Sequence, residues 1–141
     1  MRLLSQMSEN KAPAQNIGTR LQSSGSKALK GRKGEEQAAL ALEAGGMKII
    51  ARNFRSKYGE VDIIALFDDT VIFAEVKTWS AFDFDNLRYS IDIRKQHKII
   101  KTAKYFLSEN RKYSNMSVRF DVIFVKENQI NHLASAFTES V

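Results

Sequence analysis

The chain has no cysteine, one proline, one tryptophan and two histidines in 141 residues. The first absence excludes disulfides, thiolate zinc sites and a cysteine nucleophile. With only His97 and His132 as imidazoles, a metal site must be built mainly from oxygen, which suits magnesium or manganese. No apolar run approaches the roughly 18 residues that a membrane-spanning helix needs. Internal repeats and low-complexity tracts are also missing. What is present is ordinary for a globular protein, 43% hydrophobic and 27% charged. A chain of this length is read as one domain, able to bury roughly two-thirds of its unfolded surface.

The net charge of +6 sits at one end. Residues 1–34 hold Arg2, Lys11, Arg20, Lys27, Lys30, Arg32 and Lys33 against Glu9, whereas acids and bases balance in the rest. The pI of about 9.6 therefore describes an arm and not the folded body. Residues 1–30 are expected to form a basic, disordered arm, compatible with either nucleic-acid contact or a solubilising tail. Its serine-rich, acid-poor composition superficially resembles a transit peptide, but it lacks an apolar face. Residues 31–141 are expected to form the domain.

Gly34 to about Glu43 has helical spacing, with Glu35, Ala38, Ala39 and Leu42 on one stripe and Gly45-Gly46 as a stop. Met47 to Phe54 reads as a strand, and Lys57 to Gly59 as a turn. Residues 79–90 show no period and read as a loop. From Ile93 to Leu107 the pattern is helical again: Ile93, Ile99, Ile100, Ala103, Phe106 and Leu107 share one arc. Arg94, Lys98, Lys101 and Lys104 lie opposite, a solvated face that can also touch a DNA backbone. Phe120 to Val125 suggests a strand buried on both faces, with Asp121 as a structural hydrogen-bonding group. A weaker strand covers Gln129 to Leu133, and Phe137 docks the tail. Helix, three strands, helix and one or two strands imply an α/β sandwich with a mixed central sheet.

Most information lies in residues 60–77, Glu-Val-Asp-Ile-Ile-Ala-Leu-Phe-Asp-Asp-Thr-Val-Ile-Phe-Ala-Glu-Val-Lys. Alternation places Glu60, Asp62 and Ile64 on one face of the first strand, and Val61, Ile63 and Ala65 on the other. In the second strand Val71, Phe73, Glu75 and Lys77 go together. A two- or four-residue turn at Asp68-Asp69 makes a hairpin in which Asp62 faces Glu75 and Glu60 faces Lys77. Facing side chains stand about 4.5–5.5 Å apart at Cβ, and like charges there are destabilising. Two carboxylates at about 5 Å repel by roughly 3 kcal/mol at an effective dielectric of about 20. A shared cation would relieve that repulsion; a solvated edge pair bridged by Lys77 is the bland alternative. Glu35 lies where a leucine is usual, and a buried carboxylate needs a partner, although an acid also suits the first turn of a helix.

These residues resemble the PD-(D/E)xK nuclease superfamily, with its α-β-β-β-α-β core in three layers. More narrowly they resemble the YraN family, related to archaeal Holliday-junction resolvases. The matching text is Gly31-Arg32-x-Gly34-Glu35-x-x-Ala38, Arg52-Asn53-x-Arg55, Gly59-Glu60-Val61-Asp62-Ile63-Ile64, Phe73-x-Glu75-Val76-Lys77-Thr78, Lys95-Gln96 and Arg119-Phe120-Asp121-Val122. One departure is Trp79, where the family carries arginine. The resemblance implies a cytoplasmic, magnesium- or manganese-dependent deoxyribonuclease, acting on DNA that includes branched junctions, away from membranes and as a homodimer. It implies that Asp62, Glu75 and the Val76 carbonyl ligate the metal, and that Glu35 holds a metal-bound water or second ion. Lys77 would orient the attacking water and offset phosphoryl charge, Gln96 would support the site, and Arg32, Arg52, Arg55 and Lys95 would contact nucleic acid. A nucleic-acid-binding module on the same fold, without activity or dependent on a partner, is the alternative, and an interaction subunit with a purely structural acidic patch a third. The two histidines receive no role.

Overall fold

The structure, a computed structural model, describes residues 26–78 and 91–139, with side chains from residue 32 onward. The elements run α1 (Ser26–Ala44), β1 (Lys48–Ser56), β2 (Gly59–Phe67), β3 (Thr70–Thr78), α2 (Ile93–Glu109), a 3-10 turn (Arg111–Tyr113), β4 (Ser117–Lys126) and β5 (Gln129–Phe137). One mixed sheet holds the strands in the order β1-β2-β3-β4-β5. All neighbours are antiparallel except β3 and β4, which are parallel and joined across α2. The three-layer α/β expectation holds. The arm and the loop assigned to 79–90 lie outside the described residues, apart from the arm's last turn, which is helical. Among the described residues no helix is long and apolar enough to cross a membrane.

α1 begins at Ser26, well ahead of Gly34. Gly31 and Gly34 hid that start, since glycine within a helix costs about 0.5–1 kcal/mol relative to alanine. Gly34 is where α1 meets the end of β3: a Cβ there would stand 2.8 Å from Thr78 Cγ2. The helix stops as its glycine pair implies. Gly46 N–H donates to Glu43 O at 3.0 Å and Met47 N–H to Leu42 O at 3.0 Å, with Gly46 at φ 96°. That is a Schellman cap, and Met47 packs into the same cluster as Leu42.

Each hairpin closes on a two-residue loop. Ser56 pairs with Gly59, Phe67 with Thr70, and Lys126 with Gln129. Asp68 and Glu127 take φ of 54° and 52° in two of these turns, matching the twist of the strands. The two sheet faces are packed differently. Against α1, Ala38, Ala39 and Leu42 meet Ile63, Ala65, Ala74, Ile123 and Val125. Small residues there let the helix approach closely. Against α2 the filling is aromatic: Phe73 stacks on Phe120 at 5.8 Å and meets Phe106 edge-on at 5.9 Å.

Two expectations about the sheet are corrected. Val61 packs beside Ile64 on the α2 side and not on the opposite face. Its partner in β1 is Phe54, next to Asn53 at φ 52°, and this left-handed residue breaks the alternation locally. β5 continues to Phe137, beyond Leu133, because the ladder shifts register between Phe120 and Val122, with Ser135 at φ 54°. Phe137 then stacks on Phe120 at 5.1 Å.

Candidate active site

The β2–β3 ladder keeps the expected register from Phe67–Thr70 to Ile63–Ala74. Beyond it the strands separate, and Asp62 Oδ2 accepts the Val76 N–H at 2.8 Å. A side chain thus bonds the backbone just past the last ladder pair, so Asp62 and Glu75 are not paired in the ladder, although both line one cavity and the Glu75 charge acts on Asp62. The Glu60–Lys77 pairing consequently does not form. Glu60 pairs across β1 with Arg55 at 3.6 Å, while Lys77 sits in the parallel ladder opposite Phe124.

Glu75 is buried, with its side chain 7% exposed, and Lys95 Nζ stands 2.7 Å from its Oε2. Burial and then the Glu75 charge push the Asp62 carboxyl up to about 7. The Val76 N–H and Lys95 oppose that shift without cancelling it. Partial burial works against the charge on Lys95, but the hydrogen bond and field of Glu75, with Asp62 and Glu60, outweigh it and raise its pKa. The first turn of α2 delivers Lys95 to this place. Asp92 caps the helix, accepting the Lys95 N–H at 2.9 Å through its side chain.

A cavity of about 380 Å³ opens here, lined by the acids Glu60, Asp62, Glu75 and Asp92 and by the bases Arg94, Lys95 and Lys98. Glu35 does not line it. It stands on α1, across the sheet, where burial and the Asp62 charge raise its pKa against a hydrogen bond from Asn53. Gln96 is half-buried and donates to Ile91 O at 3.1 Å, supporting the start of α2 and not touching the acids. Lys77 shares the Glu75 face by alternation, is half-buried, and makes no salt bridge among the described residues. Arg52 pairs with Glu36 at 3.0 Å on the surface, and Arg32 is exposed. Sequence reasoning gave Lys95 a nucleic-acid contact and missed its bond to Glu75. A D-x-x-K cap at the helix start was the available signal.

The Asp62 and Glu75 carboxylates at one cavity are hard oxygen donors of the kind that suits magnesium or manganese. Lys95 on Glu75 is a cation already drawn to the pair. Among the described residues no three histidines or acids cluster as a metal cage. The remaining ligands would come from water and substrate, as is usual for magnesium.

A second buried acid has the opposite character. Asp121 is fully buried, yet Arg119 donates to it through Nε at 2.9 Å and Nη2 at 2.8 Å. His132 Nε2 lies 2.7 Å away, and the Ser135 N–H donates at 3.0 Å. Burial works against ionisation, but the His132, Arg119 and Ser135 bonds prevail and lower the pKa. The structural reading of Asp121 holds, and His132 acquires a partner that its sequence spacing did not show.

The family model described as "Uncharacterised protein family UPF0102" matches residues 34–125. A UPF0102 protein of Sulfurihydrogenibium sp. (strain YO3AOP1) is 44% identical over 112 residues, covering 79% of this chain and 96% of that protein. One from Persephonella marina is 40% identical, covering 77% and 93%. Another, from Treponema pallidum, is 42% identical, covering 80% and 95%.

Proposed function

This chain belongs to UPF0102, the YraN family, and from that premise we propose that it is a metal-dependent nuclease hydrolysing DNA phosphodiester bonds, branched Holliday-junction-like DNA among its substrates. The observation that carries the reading is the meeting of Asp62 and Glu75 where the β2–β3 ladder ends, beside a cavity rimmed by Arg94, Lys95 and Lys98. Arg94 and Lys98 are exposed bases that a phosphate backbone can contact, and the acids, which outnumber the bases in the lining, await a cation. Fold resemblance alone would not support activity.

Asp62, Glu75 and the Val76 carbonyl would hold magnesium or manganese, whose chemistry at this place is Lewis-acid polarisation of a phosphoryl oxygen. The chain supplies the rest. The Val76 N–H fixes Asp62 Oδ2, so the acid pair is oriented before substrate arrives. Lys77, on the Glu75 face, orients a water toward phosphorus and offsets charge growing on the phosphoryl oxygens. Exposed Arg94 and Lys98 position the backbone through phosphate contacts, which fix register without reading sequence. Arg52 and Arg55 sit in exposed ion pairs with Glu36 and Glu60, weak enough to exchange for phosphate. Glu35 stands near enough for the Asp62 charge to raise its pKa, after burial, and it would hold a metal-bound water from there.

A second reading is favoured by the Lys95–Glu75 ion pair, which already gives the buried acid a cation, and by the lack, among the described residues, of three histidines or acids grouped so as to hold a metal ion. It is a DNA-binding module that needs no metal. Incubation with supercoiled, linear and four-way-junction DNA, in magnesium or in EDTA, separates the two. We expect magnesium-dependent cleavage that Glu75→Ala abolishes. Salt-dependent binding without cleavage of any substrate by folded protein would establish the module instead.

A further inference from the structure

The acids of the site are fixed, while the cation on them is not. Glu75 is 7% exposed on a central strand, whereas the Lys95 side chain is 48% exposed on a flexible four-carbon stem. Asp62 is anchored by the Val76 N–H. Among the described residues Lys95 is the one base within ion-pair distance of either acid. We propose that Lys95 is a built-in counter-cation, which neutralises Glu75 when no divalent ion is present and competes directly with that ion for the carboxylate. The inference rests on the metal-site part of the proposed function and adds a regulatory residue to it.

The competition follows from charge and place. An ammonium 2.7 Å from Glu75 Oε2 takes up lone pairs that an incoming ion needs, and repels that ion. Binding of the ion therefore requires Lys95 to leave. Lys95 lines the same cavity as Arg94 and Lys98, so its displaced head group stays on the rim, where a phosphate would meet it. Metal loading then adds a free cation to the substrate-facing surface as well as the ion's own charge. Without the ion, Lys95 keeps the paired acids from repelling DNA at full strength.

Calorimetric titration of the metal-free full chain with Mn2+ alone tests this, in wild type, Lys95→Met, Lys95→Arg and Lys101→Met. Lys101 is exposed on the same helix and does not line the cavity. Loss of the competing charge in Lys95→Met should tighten Mn2+ binding roughly fivefold, the order expected for a partly exposed ion pair of about 1 kcal/mol. Lys95→Arg and Lys101→Met should bind within about twofold of wild type. Unchanged or weaker binding by Lys95→Met overturns the inference while leaving the metal site in place. Binding by neither wild type nor Lys95→Met overturns both. Tighter binding by Lys95→Met in a protein that cleaves no DNA sustains the inference and removes the nuclease reading.

Discussion

Asp62 and Asp121 are the same residue type on neighbouring regions of one sheet, with opposite electrostatics. Asp121 has no exposed surface, yet Arg119, His132 and the Ser135 N–H satisfy it so fully that it stays ionised below the usual carboxylate range. Asp62 is less buried, accepts one backbone N–H, feels the charge of another carboxylate, and is pushed up to about 7. Burial alone therefore does not separate a structural acid from a chemical one. What separates them is whether the protein supplies the counter-charge. It does so completely around Asp121 and incompletely around Asp62, where Lys95 serves Glu75 and leaves Asp62 perturbed.

Breaking the satisfied acid should have the larger effect. Asp121→Ala leaves Arg119, His132 and the Ser135 N–H without their shared acceptor, and should cost about 3–5 kcal/mol in urea unfolding. A loss below about 1 kcal/mol would mean that the network is incidental and that the contrast with Asp62 fails. Asp62→Asn should act in the reverse direction. The folded state binds the Asp62 proton more tightly than the unfolded chain does, because the folded pKa is raised. The stability this contributes is complete below about pH 4 and is lost as pH rises through about 7. The amide does not titrate and can still accept the Val76 N–H. In metal-free buffer we expect Asp62→Asn to match wild type within about 0.5 kcal/mol near pH 4, and to exceed it by about 1–2 kcal/mol at pH 8, after discounting for solvent screening. A variant equally destabilised at both pH values would contradict the assignment of strain to this carboxyl. Stabilisation on removing a site acid is the usual trade between function and stability.

The parts of the site legible in the sequence are those set by local geometry. A period of two and a two-residue turn at Asp68-Asp69 imply Asp62 opposite Glu75, and the observed ladder follows that register as far as Ile63–Ala74, one pair short of the acids, which still meet at one cavity. The stop at Gly45-Gly46 and the buried character of β4 were legible for the same reason. The reversed side of Val61 was not, because it depends on Asn53 adopting a left-handed backbone, an individual event that periodicity does not encode. The bond from Lys95 to Glu75 was hidden for another reason. It depends on where α2 starts relative to β3, and residues 79–90, with no period of their own, separate the two in the chain. His132 reaches Asp121 only through the pairing of β4 with β5.

The central claim is that Asp62 and Glu75 share a divalent cation. Crystals grown at pH 8 and soaked in Mn2+ test it directly, through the anomalous difference map collected at the manganese edge. The account expects one strong peak between the two carboxylates, with Lys95 Nζ moved off Glu75. Occupied manganese elsewhere, with no peak between these acids and the Lys95–Glu75 bond intact, would contradict it.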